Sequence, residues 1–159
     1  MSLKLSFRTI LTLVSFLVLA SPGTGLPALS AQPQSQVQVP SRVEFITAEQ
    51  LKAQIAKNDP LAIIDVRATS GMASDERKVK GAIHVKLRRL QSRLRYAPLK
   101  DVPRDRQVVT YCACPSDEAS IRAAELLMNA GFTRVRVLKG GWVTWKKVKG
   151  QMETLSGGD

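Results

Sequence analysis

Apolar residues along this chain fall in short blocks with two rhythms. "LAIIDV" (61–66), "AIHV" (82–85), "QVVTYC" (107–112) and "RVRVL" (134–138) are brief runs with many β-branched side chains, as expected of buried strands. Between them the spacing lengthens to the helical period. "TAEQ" (47–50) is a capping box, with Thr47 as N-cap and Gln50 three residues on. Leu51, Ile55 and Ala56 carry that helix to about Lys57, and "NDP" (58–60) stops it. "LRRLQSRL" (87–94) repeats leucine at 87, 90 and 94, with its arginines outward. Residues 117–130 give the clearest helix, with Ala119, Ala123, Leu126, Leu127 and Ala130 as its apolar stripe and Gly131 as its C-terminal stop. "GGW" (140–142) turns the chain into a last short helix. Strands alternating with helices predict an α/β domain of three layers, with a central, mainly parallel sheet covered on both faces.

The first 30 residues follow another pattern. Lys4 and Arg8 precede the apolar "TILTLVSFLVLA" (9–20), and "SPGTGLPALSA" follows, rich in small residues and breakers. This is the layout of a secretory signal, with cleavage after Ser30 or at an earlier site offered by Val18 and Ala20. The apolar block is shorter than the roughly 20 residues that span a bilayer, so no stable span is expected after cleavage. Residues 31–41, rich in Gln, Ser and Pro, read as a flexible linker. The folded domain is then 42–153, and 154–159, ending in "SGGD", read as a disordered tail. An exported protein, periplasmic or secreted, is the expectation.

Charge changes the picture modestly. The chain of 159 residues carries a formal +11, and loss of Lys4 and Arg8 with the signal leaves +9. Such a surface attracts acidic partners or anions. Arg88, Arg89, Arg93 and Arg95 cluster, and are read as a solvated basic face. Few aromatics lie among the cations and no nucleic-acid motif is present, so no nucleic-acid partner is expected.

The chemistry concentrates in "TYCACPSDEAS" (110–120), which holds both cysteines of the chain, Cys112 and Cys114. A bridge between residues two apart closes a small ring and stabilises little, so the pair reads as reactive thiols or soft-metal ligands rather than a structural disulfide. In parallel sheets, ligands sit beyond the carboxyl ends of the strands. Cys112 ends the best strand and the best helix follows. Pro115 suits a first helical position, which would make Cys114 the N-cap. The amides of Ala113, Pro115 to Glu118 and their neighbours would then form an anion cradle (proline itself lacking a donor), with a nucleophile at its floor. That arrangement suits attack on an electron-poor sulfur or phosphorus.

With these residues in order, "IIDVR" (63–67), "GAIHV" (81–85), "VVTYCACP" (108–115) and "SIRAAELLMNAGFTRVRVLKGGWVTW" (120–145), the chain resembles a rhodanese-like sulfurtransferase domain. The resemblance covers about Val43 to Gln151. It implies a five-stranded parallel sheet. It also implies a cysteine that takes sulfane sulfur from a donor, thiosulfate or a persulfide, and passes it as a persulfide to a thiol acceptor. No cofactor or metal is implied. Position after the strand's last aromatic selects Cys112 as nucleophile, with Cys114 as helper; counting back six residues from "SIRAA" selects Cys114. The binding loop would be Ala113, Pro115, Ser116, Asp117 and Glu118. Asp117 and Glu118 stand where the family pattern has cations, and repel thiosulfate. "ATSGMASDERKVK" (68–80) lacks the His-Ile-Pro common before "GA", so no donor contact is carried over from that loop. Two other readings stay open: a non-catalytic binding module on the same fold, and copper or zinc binding through Cys-x-Cys. Phosphatase chemistry is disfavoured, because Glu118 and Ser120 occupy the places six residues beyond the two cysteines where an arginine is needed.

The remaining polar and aromatic landmarks read as structural. Asp65 is expected to accept backbone hydrogen bonds at a strand end, and Arg67 to brace a loop. His84, on a short strand, is expected to pack, as are Trp142 and Trp145.

Overall fold

A computed structural model describes residues 42–68 and 75–155. The expected signal (1–30), the linker (31–41) and residues 156–159 of the tail lie outside the described residues. Strand β5 (Gln107–Tyr111) is buried along its whole length and forms the middle of the domain. It pairs in parallel with β2 (Leu61–Asp65) on one side and β6 (Val135–Leu138) on the other. Strand β4 (Ile83–His84) extends the sheet beyond β2, and β1 (Glu44–Ile46) extends it beyond β6, giving the order β1-β6-β5-β2-β4. All pairs in this sheet are parallel. The three-layer α/β expectation is therefore met.

Period-two alternation splits the core. Ile63, Val109 and Tyr111 pack with Leu51, Trp142 and Trp145, beneath α1 (Ala48–Ala56) and α4 (Gly141–Lys147). Ile64, Val108 and Cys112 pack with Leu90, Ala124 and Leu127, beneath α2 (Leu87–Arg93) and α3 (Glu118–Asn129). Tyr111 and Cys112 are neighbours in the chain but belong to opposite faces. That division positions the site.

The capping box forms as read: the Thr47 hydroxyl accepts from Gln50 N–H at 3.2 Å, and Gln50 Oε1 accepts from Thr47 N–H at 2.9 Å. The stripe of α3 is rotated from the expected one. Ser120, Ala123, Ala124, Leu127 and Met128 are buried, while Ala119 and Leu126 are only partly so. Three strands escaped the pattern. Besides β1, the antiparallel pair β3 (Arg77–Val79) and β7 (Met152–Thr154) lies apart from the main sheet, joined by a Lys78–Glu153 ion pair of 2.7 Å. Thr154, read as the first residue of a tail, ends β7, and Leu155 N–H donates to the Glu76 carbonyl at 2.7 Å. No helix among the described residues is long and apolar enough to cross a membrane.

Candidate active site

Beneath the site lies a closed polar network. Asp65 and Tyr111 stand opposite each other in register at the carboxyl ends of β2 and β5. The Tyr111 hydroxyl donates to Asp65 Oδ2 at 2.8 Å and accepts from Val79 N–H at 3.1 Å, which ties the β3–β7 pair to the sheet. Arg67 bridges back to the same carboxylate, with Nε 2.9 Å from Oδ1 and a terminal nitrogen 2.6 Å from Oδ2. Its backbone N–H reaches Asp65 Oδ1 at 3.1 Å, and its guanidinium also donates to the Arg77 carbonyl at 2.7 Å. The guanidinium lies 4.4 Å from the Trp142 ring centroid. Both Asp65 and Arg67 are buried.

Burial alone would raise the pKa of Asp65. The His84 contact and the hydrogen bonds and charge of Arg67 more than offset it, and hold the carboxyl below its ordinary 3.8. His84 Nδ1 stands 3.7 Å from Asp65 Oδ2, beyond hydrogen-bond range, so the bidentate guanidinium is the stronger partner. Burial, then the charge of Asp65, pushes the Tyr111 hydroxyl well up, so it remains a donor. Asp65 was expected to accept backbone hydrogen bonds, and the contacts differ from that. Asp65 takes a single backbone amide, and its main partners are side chains.

On the other face, Cys112 opens into a cavity of about 680 Å³ lined by Val66, Arg67, Ala68, Lys86, Leu87, Arg88, Cys112, Ala113, Cys114 and Ala119. Cys112 is buried and Cys114 half-buried at the rim. The two sulfurs, expected as thiols, are bonded to each other, and no cysteine is free. Small ring size does not prevent this. Strand β5 ends at Tyr111 and the loop turns at once, leaving the two Cα atoms 5.7 Å apart, within the usual disulfide range. Among the described residues no group of three or more His, Cys, Asp or Glu is placed to hold a metal ion.

The helix does not begin where Pro115 suggested. Pro115 and Ser116 occupy a turn closed by Asp117 N–H on the Cys114 carbonyl at 3.3 Å, and Asp117, at φ 55°, is the N-cap of α3. Proline's fixed φ suits the second position of such a turn as well as the first of a helix. Cys114 is therefore not the N-cap, and the Asp117 amide is used within the loop.

The acidic residues also turn away from the cavity. Asp117 Oδ2 accepts from Gly140 N–H at 2.8 Å, and Asp117 is buried beside the start of α4. Glu118 pairs with Arg122 at 3.0 Å on the exposed side of α3. The charged residues that line the cavity with the two cysteines are cationic, Arg67 and, at the start of α2, Lys86 and Arg88. Arg88 is exposed, as expected of a solvated basic face, and it also lines the cavity.

Two tethers hold the loop. Trp142 N–H donates to the Cys112 carbonyl at 2.8 Å, and Asp117 reaches Gly140. A Cβ on Gly141, whose φ is 46°, would stand 2.1 Å from that carbonyl, so the "GGW" turn is needed for the backbone to come this close. Ser120 was missed as a site residue. Its hydroxyl donates to the Asp117 carbonyl at 2.8 Å and lies 3.6 Å from Cys112 Sγ. A serine on the inward stripe of α3 was the available signal, because a buried hydroxyl needs a partner.

A parallel sheet with a cysteine pair at the carboxyl end of its central strand, facing a cavity, defines the class of this chain. It belongs to the rhodanese-like domain family, whose family model matches residues 47–148. It is 28% identical over 105 residues to a protein of Allochromatium vinosum named "Sulfurtransferase", covering 66% of this chain and 90% of that one. Among solved structures it is similar to the Alr3790 protein from Anabaena sp., at 28% identity and a TM-score of 0.59, covering 70% of this chain and 94% of that one. The BH2092 protein from Bacillus halodurans matches at 25% identity and a TM-score of 0.59, over 70% of this chain and 77% of that one.

Proposed function

We propose that this chain moves sulfane sulfur from a donor to a thiol acceptor through a persulfide on Cys112, outside the cytoplasm. The observation that carries the reading is the placement of both sulfurs at the floor and rim of a cavity flanked by Lys86 and Arg88. A thiolate there attacks the outer sulfur of thiosulfate or of a persulfide, and the donor's S–S bond breaks toward its leaving group. Lys86 and Arg88 favour an anionic donor. In this reading the amides of the loop that follows Cys112 stabilise the sulfur anion. The pair must first be reduced, so a thiol or dithiol reductant belongs to the cycle. Export rests on the signal-like residues 1–30, and fractionation of cells expressing the full chain tests it.

The function is tested by intact mass of the reduced chain after exposure to thiosulfate or a low-molecular-weight persulfide. Gain of one sulfur by the Cys114→Ser variant, and none by Cys112→Ser, is the expected result. If neither single variant nor the native chain takes sulfur from either donor, a non-catalytic binding module is the better reading.

A further inference from the structure

We propose that Cys114 is a resolving thiol that attacks the persulfide at Cys112 Sγ, so that the carried sulfur leaves as hydrosulfide and the pair closes into the disulfide seen here. This rests on the transfer reading and gives it a product and a co-substrate. The sulfurs of Cys112 and Cys114 are already bonded, so one reaches the other without rearrangement of the loop. Cys112 is buried, while Cys114 stands half-buried at the rim of the same cavity. Both cysteines line this cavity, and Cys114 is the more exposed of the two. An attack within the loop also has the large advantage in effective concentration of any intramolecular step.

The chemistry balances with one named co-reactant. Cys112 thiolate attacks the outer sulfur of thiosulfate, that S–S bond breaks, and sulfite leaves with the electron pair. The persulfide on Cys112 takes a proton on its terminal sulfur. Cys114 thiolate then attacks Cys112 Sγ. The Sγ–Sγ bond forms, the bond to the terminal sulfur breaks, and hydrosulfide leaves with that electron pair. The carried sulfur is reduced and the two cysteines are oxidised. A dithiol reductant restores them: one of its thiolates attacks the more exposed Cys114 sulfur and Cys112 departs as thiolate. Its second thiol resolves the mixed disulfide and leaves as part of the reductant's own disulfide. The Ser120 hydroxyl, 3.6 Å from Cys112 Sγ, is placed to turn from the Asp117 carbonyl and hydrogen-bond that departing thiolate.

The test uses the full chain, reduced, freed of reductant and kept from air, with one equivalent of thiosulfate or, in parallel, of a low-molecular-weight persulfide. The expected result with thiosulfate is one hydrosulfide released per chain with no added thiol, leaving a chain two hydrogens lighter than its reduced form. Cys114→Ser, treated alike, retains the sulfur as a persulfide and releases it only when a thiol is added. A native chain that also holds a stable persulfide until an external thiol arrives overturns the inference and leaves the transfer reading standing. A native chain and Cys114→Ser variant that take sulfur from neither donor overturn the transfer reading, and this inference with it.

Discussion

Tyr111 and Cys112 are adjacent, yet they belong to two different kinds of environment. On the Tyr111 side, a carboxylate, a guanidinium, a phenol and an indole ring close on one another, and the β3–β7 pair adds the Val79 amide and the Arg77 carbonyl. On the Cys112 side, the sulfurs face open volume, with cations at the rim and a serine hydroxyl as the nearest polar group. The pleat of one strand thus separates a braced face from a chemical face. Buried charge on the first is structural because its partners are all supplied by the protein. Reactivity on the second depends on groups that leave the sulfur accessible.

The comparison breaks most severely at Asp65. Asp65→Ala strands the buried Arg67 without its counter-charge and should cost about 3–5 kcal/mol, read as a lower urea midpoint. The native chain should show a matching pH dependence. The folded pKa of Asp65 lies below its ordinary 3.8, so its contribution is fully present above that value. The contribution drains as pH falls from there through the folded pKa. Asp65→Asn lacks this titration, so its stability deficit should shrink as the native chain is acidified below about pH 4. A deficit equal at pH 7 and pH 3 would show that the carboxylate is not the anchor of this face.

A somewhat smaller effect is expected where the two faces meet. Gly141→Ala puts a methyl against the Cys112 carbonyl at a φ of 46°. The backbone strain alone is about 1–3 kcal/mol, and displacement of the carbonyl would also move the cysteine loop. The variant should lose stability and sulfur loading together. Full loading with lowered stability would mean that the Trp142 tether does not position Cys112.

What could be read without coordinates follows from how local each signal is. The Thr47 box is complete within four residues, and the β-branched and aromatic run Val108 to Tyr111 in β5 marks a strand by itself. Strands β1, β3 and β7 have three residues each, and "RKV" and "MET" carry no alternation to betray them. They exist through partners far along the chain. The position of the cysteines was legible because strand and helix meet there. The start of α3 was not, since Asp117 is fixed by Gly140, 23 residues away. Lys86 and Arg88 come to line the cavity because β4 lies beside β2, which their own sequence cannot express.

The smallest expected effect sharpens the distinction between charged residues that line the cavity and those that do not. Glu118 was expected to repel an anionic donor, but it lies on the exposed flank of α3 against Arg122, outside the cavity lining. An exposed pair of this spacing is worth at most about 0.5 kcal/mol. Glu118→Gln should leave the urea midpoint nearly unchanged and the rate of sulfur loading from thiosulfate within about twofold, a screened-distance effect. Arg88→Glu, which reverses a charge at the rim, should slow loading from thiosulfate several-fold, less so from a neutral persulfide donor and less so at high salt. If Glu118→Gln instead speeds thiosulfate loading as much as Arg88→Glu slows it, the loop's acid acts on the donor after all, and the cavity is not the route by which the anion arrives.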